Sequence, residues 1–202
     1  MLVESSVARS FAVIGWARHL IQLCGGSILV ADGVHSHQTG APSELRNIRQ
    51  AIQRQADQAD AGSGLASRAV AAVHGLDQLL CLTADELTVV MLSHDEFELA
   101  VRLQSRRQED REWRHSLGAR ARRLDAGESA SIAIAASRLL GFASDDEDAL
   151  TLWKALTGSA GNRTRDLLWR LVTSAAVNEA DARASYHVLQ SDDLHNLGGP
   201  PW

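Results

Sequence analysis

The chain has 202 residues, 45% hydrophobic and 22% charged, a composition typical of an ordinary globular protein with one sizeable core. Its formal net charge of −5 excludes nucleic-acid binding through the overall charge, so such a role would need a local basic patch. The sequence lacks a run of about 18 apolar residues and the pattern of a secretory leader, so we expect a cytoplasmic protein without membrane contact.

The first quarter of the chain predicts two short strands separated by a helix. Residues 1–4 form an apolar start that ends in Glu4, and the hydroxyls of Ser5 and Ser6 can cap a helix that continues to Leu23. Residues 27–30 form a continuous apolar run between turn signals, which indicates a buried strand. A polar loop then precedes a helix that opens near Glu44.

The middle of the chain predicts an inserted pair of helices followed by a third strand. Residues 46–82 are rich first in glutamine and then in alanine, with a flexible break at residues 61–64. Residues 87–92 are apolar and β-branched, which favours a strand over the capping pattern of Thr83 and Glu86. Ser93 and Glu96 have the spacing of a capping box and predict the next helix.

The last part of the chain predicts a helix, a strand and three further helices. The helix at 124–136 carries Glu128 on its apolar face, and the strand after it ends at Asp145 and Asp146. Helices then follow near residues 148–156, 163–172 and 178–189. We expect one domain over residues 1–190 and a flexible tail over 191–202.

Strands that alternate with helices predict an α/β fold with a parallel sheet, which binds ligands at the carboxyl ends of its strands. Five acids are expected at that edge: Glu4, Glu44, Glu128, Asp145 and Asp146. Clustered carboxylates repel one another unless they are protonated or share a cation, and their oxygens suit Mg²⁺ or Mn²⁺. Helix capping remains an alternative role for Glu128, because it lies three residues after Asp125.

Three segments resemble the PIN-domain nucleases, metal-dependent ribonucleases that include VapC-type toxins. Residues 4–7 resemble the start of the family's sequences, where an acid is followed by a small hydroxyl residue and an apolar residue. Residues 125–133 resemble its Gly-Glu helix, and residues 144–146 resemble the Thr/Ser-x-Asp sequence at the end of one of its strands. The closing helices at 163–189 are similar to those of one PIN subgroup. The resemblance covers residues 1–45 and 85–190 and implies a three-layer fold in which helices flank a short central parallel sheet.

The resemblance also implies residue roles. Glu4, Glu128 and Asp146 would be catalytic, and Glu44 and Asp145 would join them as ligands of Mg²⁺ or Mn²⁺. Ser5 and Ser144 would support the acids through their hydroxyls. Glu4 stands where the family usually has aspartate, and His37 is an alternative to Glu44 by spacing. The expected activity is hydrolysis of RNA phosphodiester bonds.

An arginine-rich segment offers the local basic patch that RNA would need. Residues 102–123 contain eight arginines and three acids. The residues expected to contact RNA phosphates are Arg106, Arg107, Arg120, Arg122 and Arg123. The segment could equally be a solvent-facing helix or a protein-binding surface. The resemblance adds an antitoxin protein and a second copy of the chain as expected partners.

Other functions fit the sequence less well. The main alternative is a PIN-fold protein that has lost catalysis and works as a binding or regulatory module. The glutamate at position 4, where the family usually has aspartate, favours this alternative. His35 and His37 could bind a transition metal, but a third ligand is missing nearby, so a solvated loop is favoured. Cys24 and Cys81 lack metal or redox spacing and are expected to be buried free thiols.

Overall fold

The computed structural model describes residues 1–35, 43–60, 64–118, 124–191 and 202. Four strands occur in these ranges: β1 (Leu2–Val3), β2 (Ile28–Ala31), β3 (Leu87–Val90) and β4 (Phe142–Ala143). The first five helices are α1 (Ser5–Val13), α2 (Ala17–Leu23), α3 (Glu44–Gln58), α4 (Gly64–Leu80) and α5 (His94–Gln104). The remaining helices are α6 (Gln108–Ser116), α7 (Ala126–Ser137), α8 (Glu147–Thr157), α9 (Thr164–Thr173) and α10 (Glu179–Gln190).

The strands form one parallel sheet in the order β3-β2-β1-β4. In the centre, Leu2 of β1 is paired with Leu29 of β2 on one side and with Phe142 of β4 on the other. A further parallel bridge joins Ala143 to Asn162 beyond β4. The predicted α/β class with a parallel sheet is therefore confirmed, and all four strands present their carboxyl ends at one edge.

The helices form two packed groups, an arrangement consistent with three layers. Helix α7 packs against β1 and β2 and also contacts α5 and α8. Helix α1 contacts α2, α3, α4 and α9. Buried side chains from both groups and from the sheet join in one hydrophobic core.

The predicted continuous helix from residue 5 to Leu23 is wrong, because the chain breaks between α1 and α2. Gly15 adopts a positive φ of 73°, a conformation that glycine adopts without steric cost. The amide of Trp16 then donates to the carbonyl of Phe11, and α2 begins at Ala17. The predicted capping residue also differs, since Glu4 rather than a serine is the N-cap of α1.

Helices α3 and α4 pack against each other, and α4 also packs closely against α1. Gly75 makes this second contact possible, because a Cβ there would collide with the backbone carbonyl of Ala12. The predicted break at residues 61–64 lies outside the described residues, apart from Gly64 at the start of α4.

Two arginines of the basic segment have structural roles. Arg114 is 1% exposed and donates to the carbonyls of Arg102 and Ser105, near the end of α5, at 2.8 and 2.9 Å. The guanidinium of Arg102 lies 3.9 Å from the ring centre of Trp113 and forms an ion pair with Asp110 at 3.2 Å. The segment is therefore not a uniformly solvent-facing basic surface.

Both cysteines are free, but neither is buried as predicted. Cys24 is half-buried, and Cys81, directly after α4, is exposed. Within the described ranges, no helix combines the length and the apolar character needed to cross a membrane. The predicted tail lies outside the described residues except for Trp202, whose ring contacts Trp169 and Tyr186, and Ser191 at its start.

Candidate active site

The candidate site lies where β1 and β4 end side by side. The amide of Leu2 donates to the carbonyl of Gly141 at 2.8 Å, and the amide of Glu4 donates to the carbonyl of Ala143 at 3.0 Å. These bonds place Glu4, directly after β1, next to the residues that follow β4. The parallel pairing thus joins distant parts of the sequence, since the Ser144 hydroxyl reaches the Glu4 carboxylate across a separation of 140 residues.

Glu4 is 2% exposed and is surrounded by hydroxyl groups. One carboxylate oxygen accepts from the Ser5 hydroxyl, and the other accepts from the amide and hydroxyl of Ser6. The Ser144 hydroxyl lies 3.4 Å from the second oxygen. Burial raises the pKa of Glu4 above its ordinary value of 4.5, while the bonds from Ser5 and Ser6 act in the opposite direction.

Asp145 and Asp146 follow β4 directly but have different surroundings. Asp145 is buried and accepts from the amide and hydroxyl of Thr164 at 2.8 and 2.6 Å, with Ser10 at 3.4 Å. Asp146 is half-buried and caps α8 by accepting from the amide of Ala149 at 2.8 Å. The two adjacent carboxylates thus hold different helices, α9 and α8.

Glu128 forms the capping box that its spacing suggested and also lies among the clustered acids. It forms a capping box with Asp125, with amide-to-carboxylate distances of 2.8 and 3.0 Å. It is also 8% exposed and belongs to the acidic cluster. Burial raises the pKa of Glu128 to about 8, with further contributions from the negative charges of Asp125, Asp146 and Glu4.

Glu44 joins the cluster from the first turn of α3. The Ser5 side chain and the Gly127 backbone lie within hydrogen-bonding reach of its carboxylate and act to lower its pKa. Burial raises the pKa of Glu44 to about 7, helped by the negative charges of Asp125 and Glu4. Its buried Oε2 atom has no hydrogen-bond partner in the described part of the chain.

Gly127 is what allows Glu44 to reach this position. A Cβ at residue 127 would collide with the Glu44 carboxylate, so the absence of a side chain creates the space that the carboxylate fills. The same glycine lies close to Gly33, in the turn after β2. The start of α7 therefore packs directly against the turn after β2 and the first turn of α3.

The donor set fits Mg²⁺ or Mn²⁺ in its chemistry. The clustered side chains supply carboxylate oxygens, the pKa values of Glu44 and Glu128 are raised by burial and by neighbouring negative charge, and Glu44 Oε2 is available for a ligand. Over the ranges that the structure describes, no three acidic, histidine or cysteine side chains are already arranged to hold one ion. A cation would therefore require side-chain movement.

No family model matches the sequence, and no curated protein or solved structure shows a significant match to it. Statements about function consequently depend on the geometry of this chain.

Several predicted site residues lie away from the cluster or outside the described ranges. Arg106 and Arg107 are exposed in the link between α5 and α6. Arg120, Arg122, Arg123 and His37 lie outside the described residues. His35 is 1% exposed, so the predicted solvated loop is wrong at this residue. It follows β2 closely, where the chain turns back into the core with Val34.

Three residues organise the site although the sequence predicted no role for them in it, since Asp125 was considered only as a cap and Gly127 only as part of the Gly-Glu helix. Asp125 is the leading source of negative charge on both Glu44 and Glu128. Gly127 makes room for Glu44, and Thr164 holds Asp145. Asp125 carried a recognisable signal in its capping-box spacing, but the contacts of Gly127 and Thr164 depend on tertiary structure and have no local pattern.

Proposed function

We propose that the chain is a divalent-metal-dependent endoribonuclease with a PIN-type fold. The observation that carries this proposal is that Glu4 and Asp125 raise the pKa values of both Glu44 and Glu128, so that acids from different elements meet at the carboxyl edge of the sheet. An arrangement that raises the pKa of several carboxylates costs folding free energy, and such costs are concentrated at functional sites.

The proposed ligands of Mg²⁺ or Mn²⁺ are Glu4, Glu44, Glu128 and Asp146. A bound ion would supply positive charge to a phosphoryl oxygen and make water more acidic during phosphodiester hydrolysis. The carboxylates would position the ion, and its positive charge would favour the deprotonated forms of Glu44 and Glu128 by offsetting the negative charges of Asp125 and Glu4. The hydroxyls of Ser5 and Ser144 donate hydrogen bonds to the Glu4 carboxylate and fix its position.

Asp145 has a structural role in this proposal, unlike its neighbour. Asp145 accepts from Thr164 through both carboxylate oxygens and, unlike Glu4, is not among the leading charges that raise the pKa values of Glu44 and Glu128. Asp146, by contrast, is among the charges that raise the pKa of Glu128. We therefore assign the metal-binding role at the end of β4 to Asp146 and the attachment of α9 to Asp145.

The direct test is cleavage of single-stranded RNA in Mn²⁺ by the wild type and by Asp146→Asn. Asparagine caps a helix as well as aspartate does, so this substitution removes the charge and keeps the cap of α8. We expect a loss of at least about 100-fold in rate. The matched control is Asp57→Asn, at an exposed position on α3, which should leave the rate unchanged. Equal activity of wild type and Asp146→Asn overturns the proposal.

The arginine-rich segment is the proposed RNA contact, through Arg106, Arg107, Arg120, Arg122 and Arg123. Exposed guanidinium groups bind phosphate and release counterions, so RNA affinity should fall steeply as salt rises. Fluorescence anisotropy with labelled RNA and Asp146→Asn measures this. In a plot of log RNA affinity against log salt concentration, Arg107→Ala should reduce the slope by about one, because one phosphate contact is lost. An unchanged slope would mean that the segment binds another partner.

The second candidate function is a catalytically inactive PIN-type binding or regulatory module. The hydrogen bonds that Glu4 accepts favour it, because the capping of α1 and the serine hydroxyls already occupy this carboxylate. Calorimetry with Mg²⁺ and Mn²⁺ distinguishes the two functions. If the wild type binds metal at millimolar concentration and Glu128→Gln does not, the result supports the nuclease. Absence of binding in the wild type and in Glu4→Asp supports the inactive module.

A toxin of a toxin–antitoxin pair is the biological role that we propose for such a nuclease. Expression of the wild type should then arrest bacterial growth, whereas Asp146→Asn at equal protein level should not. An antitoxin encoded in the neighbouring reading frame should restore growth. A homodimer is also proposed, and light scattering of the purified chain tests it directly.

A further inference from the structure

A cavity with a volume of about 420 Å³ lies beside the C-terminal half of α1, where Arg9, Val13 and Ile14 line it. It is enclosed by α1, α3, α4 and α10, and none of the clustered acids lines it. Cavities of this size are in the range that small-molecule ligands occupy in proteins. Its origin and its lining together indicate what it could bind.

Packing between α1 and α4 explains why the cavity exists. The helices touch where Gly75 meets Ala12. Nearby, α4 presents the small side chains of Ala69 and Ala72, which do not fill the space opposite Val13 of α1. Alanine has a high helix propensity, so these residues maintain α4 while leaving the volume beside it open.

The lining is mainly apolar with cationic groups and few other polar atoms. Val13, Ile52 and Val188 provide branched apolar side chains from three helices. Arg9 and Arg68 also line the cavity, and no carboxylate lines it among the described residues. Apolar walls with a small number of orienting polar groups are typical of binding sites for small organic molecules.

Arg68 is the group best placed to recognise a charged ligand. Its guanidinium donates to the carbonyl of Gly64 at 3.2 Å and to the hydroxyl of Ser191 at 3.3 Å. Both acceptors are neutral, so these two bonds do not compensate the positive charge of Arg68. A carboxylate or similar anion would form a stronger, charge-assisted hydrogen bond there.

We propose that this cavity is a binding site for a small amphipathic anion, such as a carboxylate with an unbranched apolar chain of roughly ten carbons. The chain would occupy the space lined by Ala69, Ala72 and Val188, and the anionic group would bind Arg68 at the rim. The site is independent of the proposed nuclease chemistry, since it shares no residue with the acidic cluster.

Calorimetry with decanoate, and with decanol as an uncharged probe of equal length, tests the proposal. We expect the wild type to bind decanoate with a dissociation constant below about 100 μM, and decanol at least about tenfold more weakly. Arg68→Gln should weaken decanoate binding by about tenfold and leave decanol binding unchanged. Arg54→Gln is the matched control, because Arg54 is exposed on α3 and also donates to a backbone carbonyl.

A second variant separates filling of the cavity from loss of charge. Ala72→Leu adds apolar volume inside the cavity and should weaken decanoate and decanol equally, with its fold checked by thermal melting. The proposal is overturned if decanoate does not bind at 1 mM, a concentration about ten times the expected dissociation constant. Equal affinity for the two probes, or full binding by Arg68→Gln, also overturns it.

Discussion

The acids at the carboxyl edge differ in what holds them. Asp145 accepts from Thr164 and Ser10, whereas Glu44 has a buried oxygen without a hydrogen-bond partner among the described residues. A carboxylate whose oxygens are hydrogen-bonded contributes to stability, while one left short of partners is available to a ligand. Substitutions at single residues can therefore separate structural acids from functional ones.

Asp145→Asn should destabilise the protein by about 2 kcal/mol. The amide group cannot accept from the Thr164 amide and hydroxyl with both of its terminal atoms, and both bonds are buried. Urea unfolding measures the free energy of unfolding. Asp146→Asn is the comparison and should cost less than about 0.5 kcal/mol, because its cap is retained. A larger loss at Asp146 than at Asp145 would reverse these assignments.

Gly127→Ala should lower the pKa of Glu44 from about 7 towards 4.5. The new methyl group needs the space of the Glu44 carboxylate, which must move out towards solvent, away from Asp125 and Glu4. Carbon-detected NMR of the glutamate side chains follows this titration.

A double variant provides the control for the Gly127 substitution. In the background of Glu44→Ala the collision is absent, so adding Gly127→Ala should stabilise the helix by about 0.5–1 kcal/mol. An unaltered titration of Glu44 in the single variant would show that its carboxylate does not depend on this space.

Residue-level prediction from the sequence succeeded where a residue directly followed a strand or opened a helix. Glu4 and Asp146 were placed at strand ends because apolar runs locate strands reliably. Glu128 was placed on a buried face by its helical spacing. The sequence alone could not separate Asp145 from Asp146, since the partner that distinguishes them, Thr164, is 19 residues from Asp145.

At the scale of elements, α1 and α4 pack closely where Gly75 faces the backbone of Ala12. Gly75→Ala should destabilise the protein by at least about 2 kcal/mol, because its Cβ meets backbone atoms of Ala12, which cannot move as a side chain can. Thermal and urea unfolding measure the loss.

Gly64→Ala is the matched control for Gly75. It lies in the same helix and has open space around its Cβ position, so alanine there should be neutral or slightly stabilising. Equal effects at the two glycines would mean that the helices separate at little cost. The sequence suggested only an alanine-rich helix here, because crossing points between helices leave no periodic signal.

The strands and most helix starts were predictable because they have local causes. Serine and asparagine caps begin α3, α5 and α10, and apolar runs define the strands. The break at Gly15 was missed because the apolar spacing continues across it. The burial of Arg114 was also missed, since its partners are backbone carbonyls that composition does not reveal.

At the scale of the whole molecule, the cluster makes stability depend on pH. Glu44 and Glu128 have pKa values of about 7 and 8 in the folded state, against an ordinary value of 4.5. Between these limits the folded state binds more protons than the unfolded state, so stability falls as pH rises. We expect the two groups together to cost on the order of 6 kcal/mol of stability from pH 5 to pH 8.5, measured by urea unfolding.

Glu128→Gln isolates the contribution of the cluster to this pH dependence. The variant should lose less stability over the same pH range, because one of the two groups no longer titrates. Other ionisable groups are common to both proteins and cancel in the difference. Parallel curves for wild type and variant would contradict the raised pKa of Glu128.

The serines between the two strand ends have a directional consequence. The amide of Asp145 donates to the Ser6 hydroxyl and the amide of Asp146 donates to the Ser144 hydroxyl, each at 3.0 Å. Each hydroxyl must then turn its own proton towards Glu4. The dipoles of these two peptide groups therefore stabilise the negative charge of Glu4 through the intervening hydroxyls, although neither peptide group contacts its carboxylate directly.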